Sequence, residues 1–268
     1  KYFQEDIESL TSSKESPFKT KYIINKKAFA KVITIPKDND FEMYLVIDAD
    51  FAQSLISDDK QAYNDSIHIL HHELVHIYDN NNKIDIFKKD MLNSKYKGVA
   101  SVIFPIAEIC WSEYFANFIS CSTAKNSTLP FSVSNSLEID IRQLEFDIKT
   151  ELMALKLNPS RVDLFNSVCS HIEALLKSAS YVLGYMAGLE KNLEELSYDT
   201  DYYLEGSYFK DIWEVMKYEL TSMHQLYPYN WVNLSIYSNL TLCIEAFFNQ
   251  MGIVLIEDEE KRLSFKLM

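Results

Sequence analysis

"SIHILHHELVHIYDN", residues 66–80, carries four of the six histidines of a 268-residue chain within nine positions. A core has little use for so many imidazoles, because each buried ring needs hydrogen-bond partners that apolar neighbours do not supply. At roughly 100° per residue, His68, His72 and His76 share a helical sector of about 80°. Tyr63, Ile67, Leu70, Leu74 and Ile77 gather on the opposite side. The pattern predicts an amphipathic helix with one face for a core and the other for imidazoles.

Within the stretch, His72-Glu73-Leu74-Val75-His76 has the form H-E-x-x-H. Histidines at i and i+4 can direct one ring nitrogen each at a single ion, and zinc accepts neutral imidazole readily. Glu73 projects about a quarter-turn away, so it is better placed to hold a metal-activated water than to be a ligand. His68 reads as a solvent-facing or outer group one turn earlier, and His71 as a surface histidine. Asp79, followed by three asparagines, reads as a helix stop.

A catalytic zinc normally has three protein ligands and one open position. The segment "AEICWSEYFANFISC", residues 107–121, offers Glu108 and Glu113. They lie about 140° apart around a helix, so both do not face one ion. Glu113 is preferred because Asn117 follows it by one turn, placed to accept a proton from a ligand histidine and fix its tautomer.

H-E-x-x-H on one helix followed by E-x-x-x-D on the next resembles the gluzincin metallopeptidases, the thermolysin-like clan. "EYFANFIS" is similar to the corresponding run of ImmA/IrrE-type peptidases, and the resemblance covers roughly residues 40–121. It implies that His72, His76 and Glu113 bind zinc and that Glu73 is the general base. Asn117 stands where many gluzincins have Asp, and an amide accepts a weaker hydrogen bond than a carboxylate.

The function expected is therefore a zinc-dependent hydrolase of peptide bonds, with Glu73 moving a proton from water to the leaving amine. The substrate is a peptide or protein, pairing with an edge strand for which "MYLVID", residues 43–48, is the candidate. Gluzincins add an oxyanion-stabilising Tyr or His; His171 and His224 are two candidates among many. The alternative is a regulatory module, or a hydrolase of non-peptide amides, on the same metal-binding scaffold.

Working outward, "YIINKKAFAKVITI", residues 22–35, and residues 43–48 carry the β-branched and aromatic residues of strands, with a turn at Asp38–Asp40. The histidine helix is expected from about Asp58–Lys60 to the Asp79–Asn82 breakers, and a second helix from Pro105 to about Cys121. Residues 122–136 read as a linker, with Asn135 and Glu138 capping a helix to Leu157. Further helices fit 161–190, 207–223 and 229–250, and the tail reads as two short strands around an acidic turn. The fold class is α+β and predominantly helical: a small N-terminal sheet on the histidine helix and a Glu-donating helix, then a helical bundle and a C-terminal hairpin. Two regions are expected, 1–125 as a zincin-like core and 126–268 as the mostly helical remainder.

Five glycines, six prolines and 47% hydrophobic residues favour long helices. A net charge of −13 argues against nucleic acid, which needs a basic face, and hints at a basic or neutral substrate. Cys110, Cys121, Cys169 and Cys243 form no C-x-x-C pair and read as reduced thiols of a cytoplasmic protein. No uninterrupted apolar run reaches membrane-spanning length, so no membrane is expected. Nothing in the sequence assigns an oligomeric state.

Overall fold

The computed structural model describes residues 29–37, 40–93, 96–157 and 162–268. Strands β1 (Ala30–Lys37) and β2 (Asp40–Ile47) pair antiparallel from Ala30↔Ile47 to Lys37↔Asp40. A short helix α1 (Ala49–Ser54) leads to α2 (Lys60–Asn93) and α3 (Ala100–Ala124). Then come α4 (Leu129–Leu157), α5 (Val162–Leu189), the short α6 (Leu193–Leu196) and α7 (Tyr198–Glu205), and α8 (Lys210–Leu226). A 3-10 turn (Leu234–Tyr237), α9 (Ser238–Gln250) and the hairpin of β3 (Ile253–Glu257) and β4 (Leu263–Leu267) complete the chain. This is the predominantly helical α+β class expected, a helical bundle with two small antiparallel sheets, one before it and one after it in the chain. The segment 22–28 of the expected first strand, and Asp38 and Asn39 of its turn, lie outside the described residues.

The core is built around α3, where Cys110, Trp111 and Ala116 have no exposed surface. Trp111 stacks on Phe115 and meets Tyr227 and Trp231 of the turn after α8, so segments distant in sequence share one aromatic centre. The cluster of buried apolar side chains runs from Val75 to Leu255 and crosses the neighbourhood of residue 125. By length and composition α3 is also apolar enough to cross a membrane, and 56% of that window is buried inside this fold. Glu113 and Asn117 interrupt its apolar surface and are themselves buried.

Four boundaries differ from expectation. The helix expected from 229 begins at Ser238, behind a 3-10 turn that Asn233 caps instead. The histidine helix continues through Asp79–Asn82 to Asn93. Asparagine costs a helix at most about 0.7 kcal/mol per residue, and here Asp79 gains Lys83, Trp111 and Tyr227 as partners. The second helix begins at Ala100, with Pro105 inside it, where the ring removes the bond to the carbonyl four residues back and crowds that carbonyl. The linker shrinks to the few residues between α3 and α4. Asp65 on α2 accepts from Ser127 and Thr128 there, and Asn135, inside α4, accepts from Ser197.

The histidine face of α2 is also more buried than expected, and the apolar side is only partly covered, with Ile67, Leu70 and Ile77 half-buried. His68 and His72 are buried at 1% and 9% exposure, whereas Tyr63 and Leu74 on the apolar side are 42% and 47% exposed. Polar side chains can occupy an interior when a neighbouring helix brings matching donors and acceptors, and α3 and α5 do so.

Candidate metal centre

Two successive turns of α2 present His72 and His76 to one face of α3, where Ser112, Glu113 and Asn117 occupy neighbouring turns. Asn117 is 1% exposed and donates Nδ2–H to the Tyr181 carbonyl at 3.3 Å. That bond turns its Oδ1 toward His72, whose Nδ1 lies 2.9 Å away. His72 therefore carries its proton on Nδ1 and leaves a lone pair on Nε2. His76 Nδ1 meets Ser112 Oγ at 3.0 Å, with the hydroxyl free to accept in the same way.

The two Nε2 atoms then face each other at 3.0 Å, and Glu113 Oε2 lies 3.2 Å from one and 3.4 Å from the other. Glu113 Oε2 is buried with no hydrogen-bond partner. Three lone pairs at this spacing repel unless positive charge sits among them. A proton satisfies one pair; a cation satisfies all three. Zinc bound at 2.0–2.1 Å has tetrahedral edges of about 3.3 Å, so the donor set fits zinc in both chemistry and spacing.

The surroundings tune these groups. Burial would raise the Glu113 carboxyl, but the Lys177 charge first, and then the two imidazoles beside it, hold it well below its usual range. Burial pulls His76 down, and Glu113 reverses this and lifts it. Glu113 thus remains a carboxylate, the form a metal requires.

Glu73 belongs to the same cluster, its carboxylate within 4.8 Å of the histidine ligand atoms. Glu113 is the nearer acid. One Glu73 oxygen accepts the Val32 backbone N–H at 3.1 Å. The strand beside the site is therefore β1, with its edge away from β2 turned toward Glu73, and not the expected β2 segment.

The sequence reading missed what α5 contributes. Lys177, Tyr181, Gly184 and Gly188 fall within about 60° of one another around a helix. A Cβ on Gly184 would meet the Tyr114 carbonyl at 2.4 Å, and one on Gly188 the Phe118 carbonyl at 2.5 Å. These two glycines let α5 lie against α3, which brings Tyr181 over the His72 ring at 5.8 Å and Lys177 Nζ to 2.9 Å from Glu113 Oε1. The legible signal was a polar pair, Lys177 and Tyr181, in line with a Gly-x-x-x-Gly stripe. From β1, Lys31 enters the electrostatic neighbourhood of Lys177, Glu73 and Glu113.

Other sequence candidates lie elsewhere. His68, expected at the surface or in an outer position, is buried with Nε2 at 2.8 Å from the Tyr185 hydroxyl. His71 is half-buried and shares Thr123 with it. Asp79 is not a helix stop but a core anchor, bound by Trp111 and Tyr227. Glu108 neighbours Lys83 and Asp79. His171 sits 3.5 Å from Glu151, and His224 packs against Phe118.

No protein-family model, curated protein or solved structure matches the chain.

Proposed function

We propose that the protein is a zinc-dependent peptidase of gluzincin-like design, with His72, His76 and Glu113 as ligands and Glu73 as general base. The observation that carries this reading is the convergence of two imidazole lone pairs and an orphaned carboxylate oxygen, with Glu73 alongside. Zinc held there supplies Lewis acidity, making a water more acidic and polarising a carbonyl.

The remaining work falls to this chain's side chains. Asn117 and Ser112 fix the two imidazoles with their Nε2 atoms inward. Glu73 takes the proton of the attacking water and returns it to the leaving amine. Burial first, then the Glu113 charge, raises the Tyr181 hydroxyl above its ordinary value. It therefore stays protonated at neutral pH and serves as donor to the carbonyl oxygen as negative charge develops. Lys177 links Glu113, paired with its Nζ at 2.9 Å, to Tyr181, whose ring centroid lies 5.6 Å from the same nitrogen. An extended peptide laid along β1 would compete with Glu73 for the Val32 N–H, placing its backbone beside the base.

A peptide-library digestion with zinc-loaded protein, with and without chelator, tests this reading. Chelator-sensitive cleavage at defined bonds is expected. No cleavage by fully metallated protein would reject it in favour of a binding module or another amide substrate.

A further inference from the structure

The two oxygens of Glu113 are held differently. Oε2 lies 3.2 and 3.4 Å from the two imidazole nitrogens, buried and without a hydrogen-bond partner. Oε1 is paired with Lys177 Nζ at 2.9 Å. The carboxylate side chain is 10% exposed and the lysine 33%, so the ammonium reaches inward from the rim.

An ammonium is a compact charge with three rotatable donors. A lysine that only neutralised a buried acid would rest equally well on either oxygen, or between them. Here it takes one oxygen and leaves bare the other, which points where the ring nitrogens converge. Its place is set by the fold: Lys177 lies one turn before Tyr181, on the helix that Gly184 and Gly188 let lie against α3. The Tyr181 ring flanks the same nitrogen, with its centroid 5.6 Å away.

This division bears on coordination number. A carboxylate with both oxygens available grips a divalent ion through one or through two. Glu113 bound through both would add a fourth protein atom to the set and fill the position that a catalytic zinc leaves open. With Oε1 engaged by the ammonium, three protein atoms remain.

Resting on the zinc-peptidase reading above, we propose that Lys177 is a positioning residue: it confines Glu113 to one-oxygen coordination and so keeps a position open for water or a substrate carbonyl. It acts through Glu113 alone.

Infrared difference spectra, zinc-loaded minus zinc-free, read the binding mode directly, with the Glu113 bands assigned by their absence from Glu113→Gln. The antisymmetric and symmetric carboxylate stretches lie far apart when one oxygen binds and close together when both do. The unmutated protein and Lys177→Arg should show the wide separation, and Lys177→Met the narrow one. Imidazole, a neutral ligand little affected by the lost lysine charge, then probes the open position. Titrated into the cobalt-loaded proteins and followed by their visible bands, it should bind Lys177→Met about tenfold more weakly than the unmutated protein. Lys177→Arg should stay close to the unmutated protein.

A narrow separation in the unmutated protein overturns the proposal without recourse to any variant. So does a wide separation, or an unchanged imidazole affinity, in Lys177→Met. A folded Lys177→Met protein that takes up no metal overturns it too, because the lysine would then support binding itself and not its mode. The expected spectra with no cleavage of any peptide sink the peptidase reading and leave the role of Lys177 standing. An unmutated protein that takes up neither zinc nor cobalt sinks both.

Discussion

Asn117 Oδ1 accepts the Nδ1 proton of His72 at 2.9 Å, while the same amide donates to the Tyr181 carbonyl. One side chain therefore fixes an imidazole tautomer and ties α3 to α5. Partners in this position typically govern about tenfold to a hundredfold of metal affinity. Asn117→Ala should weaken zinc by that amount in a chelator competition, and Asn117→Asp should restore or tighten it. Unchanged affinity in Asn117→Ala would show that the imidazole needs no such support.

Glu73 shares the cluster without being its nearest acid. Glu73→Gln should keep the zinc content of the unmutated protein while lowering peptide cleavage by about a hundredfold to ten-thousandfold, the range for a lost general base. Loss of zinc in that variant would instead make Glu73 a ligand. Equal activity would remove it from the mechanism.

Asp79 and Lys83 are buried at 0% and 4% exposure with their charges 2.6 Å apart. The Asp79 oxygen nearest Lys83 has no aligned hydrogen bond, so the lysine supplies charge rather than a directed donor. Asp79→Ala strands that charge and should cost about 3 to 5 kcal/mol in urea unfolding. Asp79→Leu with Lys83→Met removes both charges and should cost less than Asp79→Ala alone.

His68 gives stability a pH dependence of known sign. Burial, with the charge of His72 adding to it, lowers its pKa from 6.5 to about 4. Between those values the unfolded chain binds the proton and the folded one does not, so this contribution is complete above pH 6.5 and is lost as pH falls toward 4. The full span amounts to roughly 3 kcal/mol. His68→Gln should flatten the unfolding free energy over that window relative to the unmutated chain. An identical slope in both would refute the assignment.

Gly184 is one of two glycines at which α5 lies close against α3. Alanine there drives a Cβ against the Tyr114 carbonyl, and overpacking of this kind costs about 1 to 3 kcal/mol. The helix-propensity gain of about 1 kcal/mol offsets part of it. Gly184→Ala should therefore lower the melting temperature and weaken zinc binding together, as Asn117 and Tyr181 shift. Gly206→Ala, with nothing within 4 Å of the added carbon, should do neither.

Some of this was legible in the chain. The H-E-x-x-H pattern singled out His72 and His76, and the i,i+4 relation of Glu113 to Asn117 selected the acid that the fold brings to them. The ends of α2 and α3 were not legible, because Asp79 and Pro105 are breakers only in local context and tertiary partners outweigh that cost. The burial of His68 was not legible for a similar reason. Hydrophobicity assigns polar residues to solvent, whereas here Asn117, Ser112, Glu113 and Tyr185 satisfy them inside. Lys177 and Tyr181 were hidden by sequence distance, and only the packing at Gly184 and Gly188 carries them to the centre.

The central claim is that His72, His76 and Glu113 hold one zinc ion among them. Elemental analysis of protein purified without added metal tests it most directly, alongside the His76→Ala and Glu113→Gln variants. One zinc per chain is expected in the unmutated protein, with loss in both variants while circular dichroism keeps the helical signal. A folded protein that takes up no zinc, or a Glu113→Gln variant that holds it as tightly as the original, would contradict that claim.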